Sequence, residues 1–171
     1  MAMYRHFPDK ESLIGHLCNE LYKQFTAGLQ TRFNHVADPK ERVRQALFHF
    51  VRLATANPHH YRFTFLARIP DKKAQTTRAT AAEPVIAHIR HSLSLALPPG
   101  GPAELVEERL HQILAIAHGL VVMLITYPRA YRINRETAFE RLGSALDILL
   151  PGHAPVKGQL SALSHQKGVV L

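Results

Sequence analysis

An all-helical fold is predicted by three observations. Strand-type alternation is scarce, apolar residues recur three and four positions apart in one segment after another, and those segments are separated by Asp-Pro, Asn-Pro and Pro/Gly punctuation of the kind that starts and stops helices. With 171 residues, 46% of them hydrophobic, and a mean hydropathy of −0.10, the chain is long enough for one substantial core and too apolar to be disordered throughout. A single bundle of about six helices is expected, and no internal repeat is visible.

The first complete helix is expected over residues 10–36, with Asp9 as N-cap and Leu13, Leu17, Leu21, Phe25, Leu29 and Phe33 forming its stripe. Asp38-Pro39 caps a second helix over 39–55, with Val43, Leu47, Phe50 and Val51 on one side and Arg42, Arg44 and Arg52 available to water. Asn57-Pro58 repeats the device and starts a short segment carrying Tyr61, Phe63, Phe65 and Leu66, an aromatic concentration suited to a core or a pocket. Residues 71–82 read either as a helix start or as a connection, with Pro84 a first-turn residue or a kink. Over 85–97 the residues Val85, Ile86, Ile89, Leu93 and Leu97 again follow helical spacing, and the run 98–102, PPGGP, makes a turn. A long helix follows over 102–127, apolar nearly all round at 113–125 and so expected at the centre of the bundle. Asn134 caps the last helix, which ends near Leu150, with Ala138, Leu142, Ala145, Leu146 and Leu149 as its stripe. Residues 151–171 have no periodic face and are expected to form a flexible tail.

Several functional classes are disfavoured by what the chain lacks. Cys18 is the only cysteine, so no disulfide framework forms within one chain, which suits a reducing cytoplasm. The longest apolar run, residues 113–125, falls short of the roughly 20 residues of a membrane span and contains His118 and Gly119. No membrane role, signal peptide or cofactor is expected. Twelve histidines invite a metal reading, with His88 and His91 on one helix face and His111 able to return level with His88, but no paired-cysteine or H-E-x-x-H pattern accompanies them. Neither G-x-S-x-G nor a phosphate-cradling glycine loop is present, and an enzyme is not expected. The formal net charge of +8, from 21 Lys and Arg against 13 Asp and Glu, favours encounter with polyanions without identifying a site.

The most specific pattern is at the start. Tyr4, His6, Phe7, Lys10 and Leu13 form Y-x-H-F-x-x-K-x-x-L across a break at Pro8, and this resembles the junction between the recognition helix and the following helix in TetR-family transcriptional regulators. The resemblance makes Tyr4, His6 and Lys10 phosphate-contacting candidates, brings Ala2 or Met3 near base edges, and leaves Phe7 and Leu13 to pack the two helices together. The chemistry agrees: a phenol, an imidazole and a first-turn lysine at a helix N-terminus all suit phosphate oxygens. The alternative is an ordinary turn between two helices. On the family pattern, residues 1–36 are the remnant of the DNA-binding domain with its connecting helix. Two helices of that domain are missing, so operator DNA is expected to be bound by the full-length protein and weakly or not at all by these residues alone.

Two further stretches resemble the same family. Residues 57–62, NPHHYR, are similar to its Asn-Pro-x-x-Tyr-Arg helix start, and Ala117-His118-Gly119-Leu120 is similar to the His-Gly step of the penultimate helix in one subfamily. The resemblance implies that residues 37–150 are an effector-binding and dimerisation domain. A small apolar effector is expected among the helices, with Phe48, Phe65, His118, Met123 and Tyr127 as ligand-binding candidates. Gly119 suggests close packing of a helix or ligand, since glycine inside a helix costs about 1 kcal/mol relative to alanine. A homodimer is expected through the last two helices, with Gly143 and Ala145 permitting close approach. The resulting function is ligand-controlled transcriptional repression. The rival is a stand-alone small-molecule-binding or protein-interaction domain without DNA binding.

Overall fold

The computed structural model describes residues 7, 9–32, 35–66 and 72–150. Six helices follow in order: α1 (Lys10–Arg32), α2 (Pro39–Ala56), α3 (Pro58–Tyr61), α4 (Lys72–Ala96), α5 (Ala103–Thr126) and α6 (Arg135–Leu149). There is no strand among the described residues.

The punctuation predicted from sequence acts through identifiable hydrogen bonds. Asp9 accepts from the Ser12 amide at 2.6 Å at the start of α1, and Asp38 accepts from the Lys40 amide at 3.0 Å ahead of Pro39. At α6 Asn134 and Thr137 form a reciprocal capping box, the Thr137 amide donating to Asn134 Oδ1 and the Asn134 amide to Thr137 Oγ1. Each cap satisfies an amide that the first helical turn leaves without a partner. The α4–α5 turn needs the left-handed region at one residue, and Gly100 supplies it with φ 81°.

One boundary differs from expectation, and one open alternative is decided. Val36 lies outside α1, which is described over Lys10–Arg32. Residues 72–82 are helical and continuous with the stripe behind them, so α4 runs through Pro84. Its second half is fixed by burial of Val85, Ile89 and Leu93, which outweighs the loss of one backbone bond at the proline.

The core joins Phe25 of α1, Val43, Leu47, Phe50 and Val51 of α2, Ile89 and Leu93 of α4, Ile113 and Val121 of α5, and Leu142 and Leu146 of α6. Between α1 and α2 the His49 ring lies against Gly28, where a Cβ would force that ring to move. On the opposite edge Arg44 and Lys40 both reach Asp147, at 2.8 and 2.9 Å, tying α2 to α6. Arg52 stands over the Phe139 ring and Arg42 donates to the Val36 carbonyl, so these cations are engaged as well as wetted.

Helix α5 is not enclosed as its composition predicted. It buries Leu110, Ile113, Ala117, Leu120 and Val121 in the bundle and leaves Ile116, Val122 and Met123 half-buried. By length and composition it is apolar enough to cross a membrane, because the helix extends on either side of the apolar run. Its buried face is nevertheless taken by the other helices.

Candidate functional site

The two internal motifs meet in space. Asn57 closes α2 by donating its amide to the Leu53 carbonyl at 3.1 Å, and Pro58 restarts the chain as α3, which widens into a π-helical turn at Arg62–Leu66. This brings Tyr61, completely buried, to α5, where its hydroxyl lies 2.8 Å from His118 Nδ1. The next residue, Arg62, donates from Nη2 to the Ile125 carbonyl at 2.6 Å. That carbonyl is one of the last four of α5, which have no partner within the helix. Adjacent residues of one motif therefore hold both the middle and the end of α5.

Aromatic rings close around the imidazole. Phe50 and Phe65 each stand edge-on to His118 with centroids 4.8 Å away, and Tyr61 and Phe65 are 4.9 Å apart. Beside them is a cavity of about 60 Å3, walled by Phe25 of α1, Phe50 and Ala54 of α2, Val85 and Ile89 of α4, and Leu114 and His118 of α5, with Tyr22, Tyr61 and Phe65. Among the described residues no Asp, Glu, Lys or Arg is in the wall.

Burial sets the protonation states. It holds the His118 pKa below the ordinary imidazole value and pushes the Tyr61 phenol well above the ordinary tyrosine value, so both are neutral at pH 7. The Tyr61 proton is assigned to Nδ1, because its other acceptor, the His118 carbonyl, is 3.5 Å away and belongs to the helical ladder. Nε2 then carries the ring proton. The result is a neutral hydrogen-bonding pair in apolar walls, an arrangement that orients a ligand by one polar contact.

Of the ligand candidates read from sequence, Phe65 and His118 line this cavity, whereas Phe48, Met123 and Tyr127 do not. Phe48 is one position, about 100° of helix, past Leu47 and stacks on Phe139 at 4.7 Å on the α6 side. Met123 is five residues past His118, on another face of α5, and packs half-buried against the core. Tyr127 follows the end of α5 and is 66% exposed. Tyr61, Phe50 and Tyr22 line the cavity as well without being among those candidates, although NPHHYR contains Tyr61 and the α2 stripe contains Phe50. A Cβ at Gly119 would meet no atom within 4 Å among the described residues outside its own helical turn, so no close approach accounts for this glycine. Gly143 is buried, and its surface is taken by Arg44 of the same chain, with Nη1 at 3.2 Å from a Cβ. Tyr4 and His6 lie outside the described residues. Lys10 opens α1, and its side chain also lies outside them. Among the described residues no three His, Cys, Asp or Glu side chains converge, His88, His91 and His111 included.

A family model described as Tetracyclin repressor-like, C-terminal domain, matches residues 43–146, more than half of the chain. The chain belongs to this family. The match runs from α2 into α6 and includes Tyr61, Arg62, Phe65 and His118, so the paired motifs and the α2, α4 and α5 walls of the cavity fall within the C-terminal domain of a TetR-type regulator, while its α1 wall precedes the match. No curated protein matches the chain.

Proposed function

We propose that this domain is the effector-binding and dimerising module of a ligand-responsive, cytoplasmic TetR-type transcriptional repressor, with no catalytic role. The observation that carries the reading is the apolar cavity with its buried, neutral Tyr61–His118 pair inside a domain of this family. Its walls favour a small apolar effector without net charge, since a buried ion would meet no counter-charge there.

The route from effector to DNA is supported by α1. Leu21, Tyr22 and Phe25 form one wall of the cavity, and the same helix begins at Lys10, next to the residues whose pattern resembles a recognition helix. A ligand that enlarges the cavity moves α1 against α2 and α4, and so changes the placement of Tyr4, His6 and Lys10 on operator phosphates. That is a coupling between two sites through one rigid element. The second copy docks on the outer faces of α5 and α6. Gly119 has open space in front of it, Val122 and Met123 are half-buried, and Ile148 is 79% exposed, so two helices from each subunit make a four-helix interface.

A thermal-shift screen with compact, neutral, apolar compounds tests the effector site. Binders raise the melting midpoint with concentration, by about 2.7 kcal/mol of stability at one hundred times their dissociation constant. Ala54→Leu, which fills the cavity, abolishes the shift. A screen with no stabilising compound, or shifts indifferent to Ala54→Leu, would count against this function.

A further inference from the structure

The cavity of about 60 Å3 is several-fold smaller than the roughly 300–1,000 Å3 of sites that enclose drug-sized ligands. A second hollow lies directly outside it, a groove of about 390 Å3 between α1 and α4, walled by Asn19, Tyr22, Lys23, Thr26, Thr80 and Pro84. Tyr22 belongs to both walls. Its ring meets Phe65 edge-on at 6.0 Å, a single aromatic contact of the kind worth about 0.5–1.5 kcal/mol.

The groove differs in chemistry from the cavity. Pro84 has no N–H, so the carbonyl of Thr80, four residues earlier, lacks the helical donor it would otherwise have. Both residues line the groove together with Asn19. Thr26 donates to the Tyr22 carbonyl at 2.8 Å, and Lys23 pairs with Glu20 at 2.9 Å, so the groove presents no unbalanced cation to draw an anion.

We propose that cavity and groove are two compartments of one effector site partitioned by the Tyr22 side chain. The site takes an elongated, uncharged molecule, with an apolar ring or short chain in the inner compartment and a hydrogen-bond donor at the Thr80 carbonyl. This rests on the effector-binding reading above and specifies its ligand class. Turning Tyr22 aside joins two volumes that together fall in the range of ligand pockets, and the ligand then wedges α1 from α4 along the proline-weakened face.

The test uses N-phenyl-1-naphthylamine, a neutral two-ring probe with one N–H donor whose fluorescence rises in apolar surroundings, titrated into the 171-residue protein. Wild type is expected to bind it at one site. Ala81 also lines the groove; Ala81→Phe, which obstructs it, and Ala54→Leu, which fills the cavity, are each expected to weaken binding by about tenfold, equivalent to 1.4 kcal/mol. Tyr22→Ala is expected to tighten it, and melting curves establish that each variant is folded. Weakening by Ala54→Leu alone would leave the effector site standing and overturn the two-compartment proposal. Weakening by Ala81→Phe alone would also overturn it, placing the probe in the groove only, as would no binding by wild type. The thermal-shift screen then judges the effector reading separately.

Discussion

Tyr61 and His118 depend on each other in a way that isolated burial would not require. Removing the phenol as Tyr61→Phe leaves His118 Nδ1 without its 2.8 Å partner, and a buried acceptor without a donor costs about 1–3 kcal/mol. Urea unfolding is expected to show that loss as a lower midpoint at unchanged slope, and an unchanged midpoint would refute the pairing. The imidazole also makes stability depend on pH. Its folded-state pKa lies below the ordinary 6.5, so the unfolded chain takes up the proton first as pH falls. The contribution is complete above about 6.5 and declines below it, with a slope of at most about 1.4 kcal/mol per pH unit, until the folded form titrates as well. His118→Asn, which retains an acceptor, is expected to flatten that part of the profile in melts from pH 7 to 5, and a profile parallel to wild type would contradict the buried neutral state. His118 and Phe65, which line the cavity, were marked in the sequence by a motif and by an aromatic cluster. Phe48 and Met123 carry the same apolar signature but face elsewhere, and only the rotation of each helix separates them from the cavity.

At the level of the helices, caps and stripes were readable because they are local: Asp9, Asp38 and Asn134 each precede the helix they close. The course of α4 was not, because residues 72–82 have little apolar signal and Pro84 argues for a break. What carries the helix through is packing of Val85 and Ile89, information held by α2 and α5. Pro84→Ala restores the missing backbone bond and is expected to stabilise the protein by about 1–3 kcal/mol, read as a higher urea midpoint. It also closes the Thr80 acceptor, so the naphthylamine probe should bind less tightly. A destabilised variant would show that the packing of α4 requires proline at this position.

For the molecule as a whole, the sequence conveyed the fold class and the order of helices but not which apolar faces the monomer uses itself. Ala138, Leu142 and Leu146, a stripe that looked available to a partner, are completely buried within one chain. The outward apolar residues of α6 and α5 are instead Ile148, Val122 and Met123. If these form the dimer contact, sedimentation equilibrium at micromolar concentration gives a mass near twice the 19.2 kDa of one chain. Ile148→Lys, on an exposed position that folding does not use, then weakens association about tenfold or more. A wild-type monomer would remove the four-helix interface from this account.

The claim on which the rest depends is that an effector sits between α1, α2, α4 and α5 against the Tyr61–His118 pair. Methyl NMR of the labelled protein, titrated with a compound that raises its melting midpoint, reads that position directly. Shifts concentrated on Leu53, Val85, Ile86, Ile89 and Leu114 are the predicted result. Shifts confined to the outer methyls of α5 and α6, such as Val122 and Ile148, would contradict it.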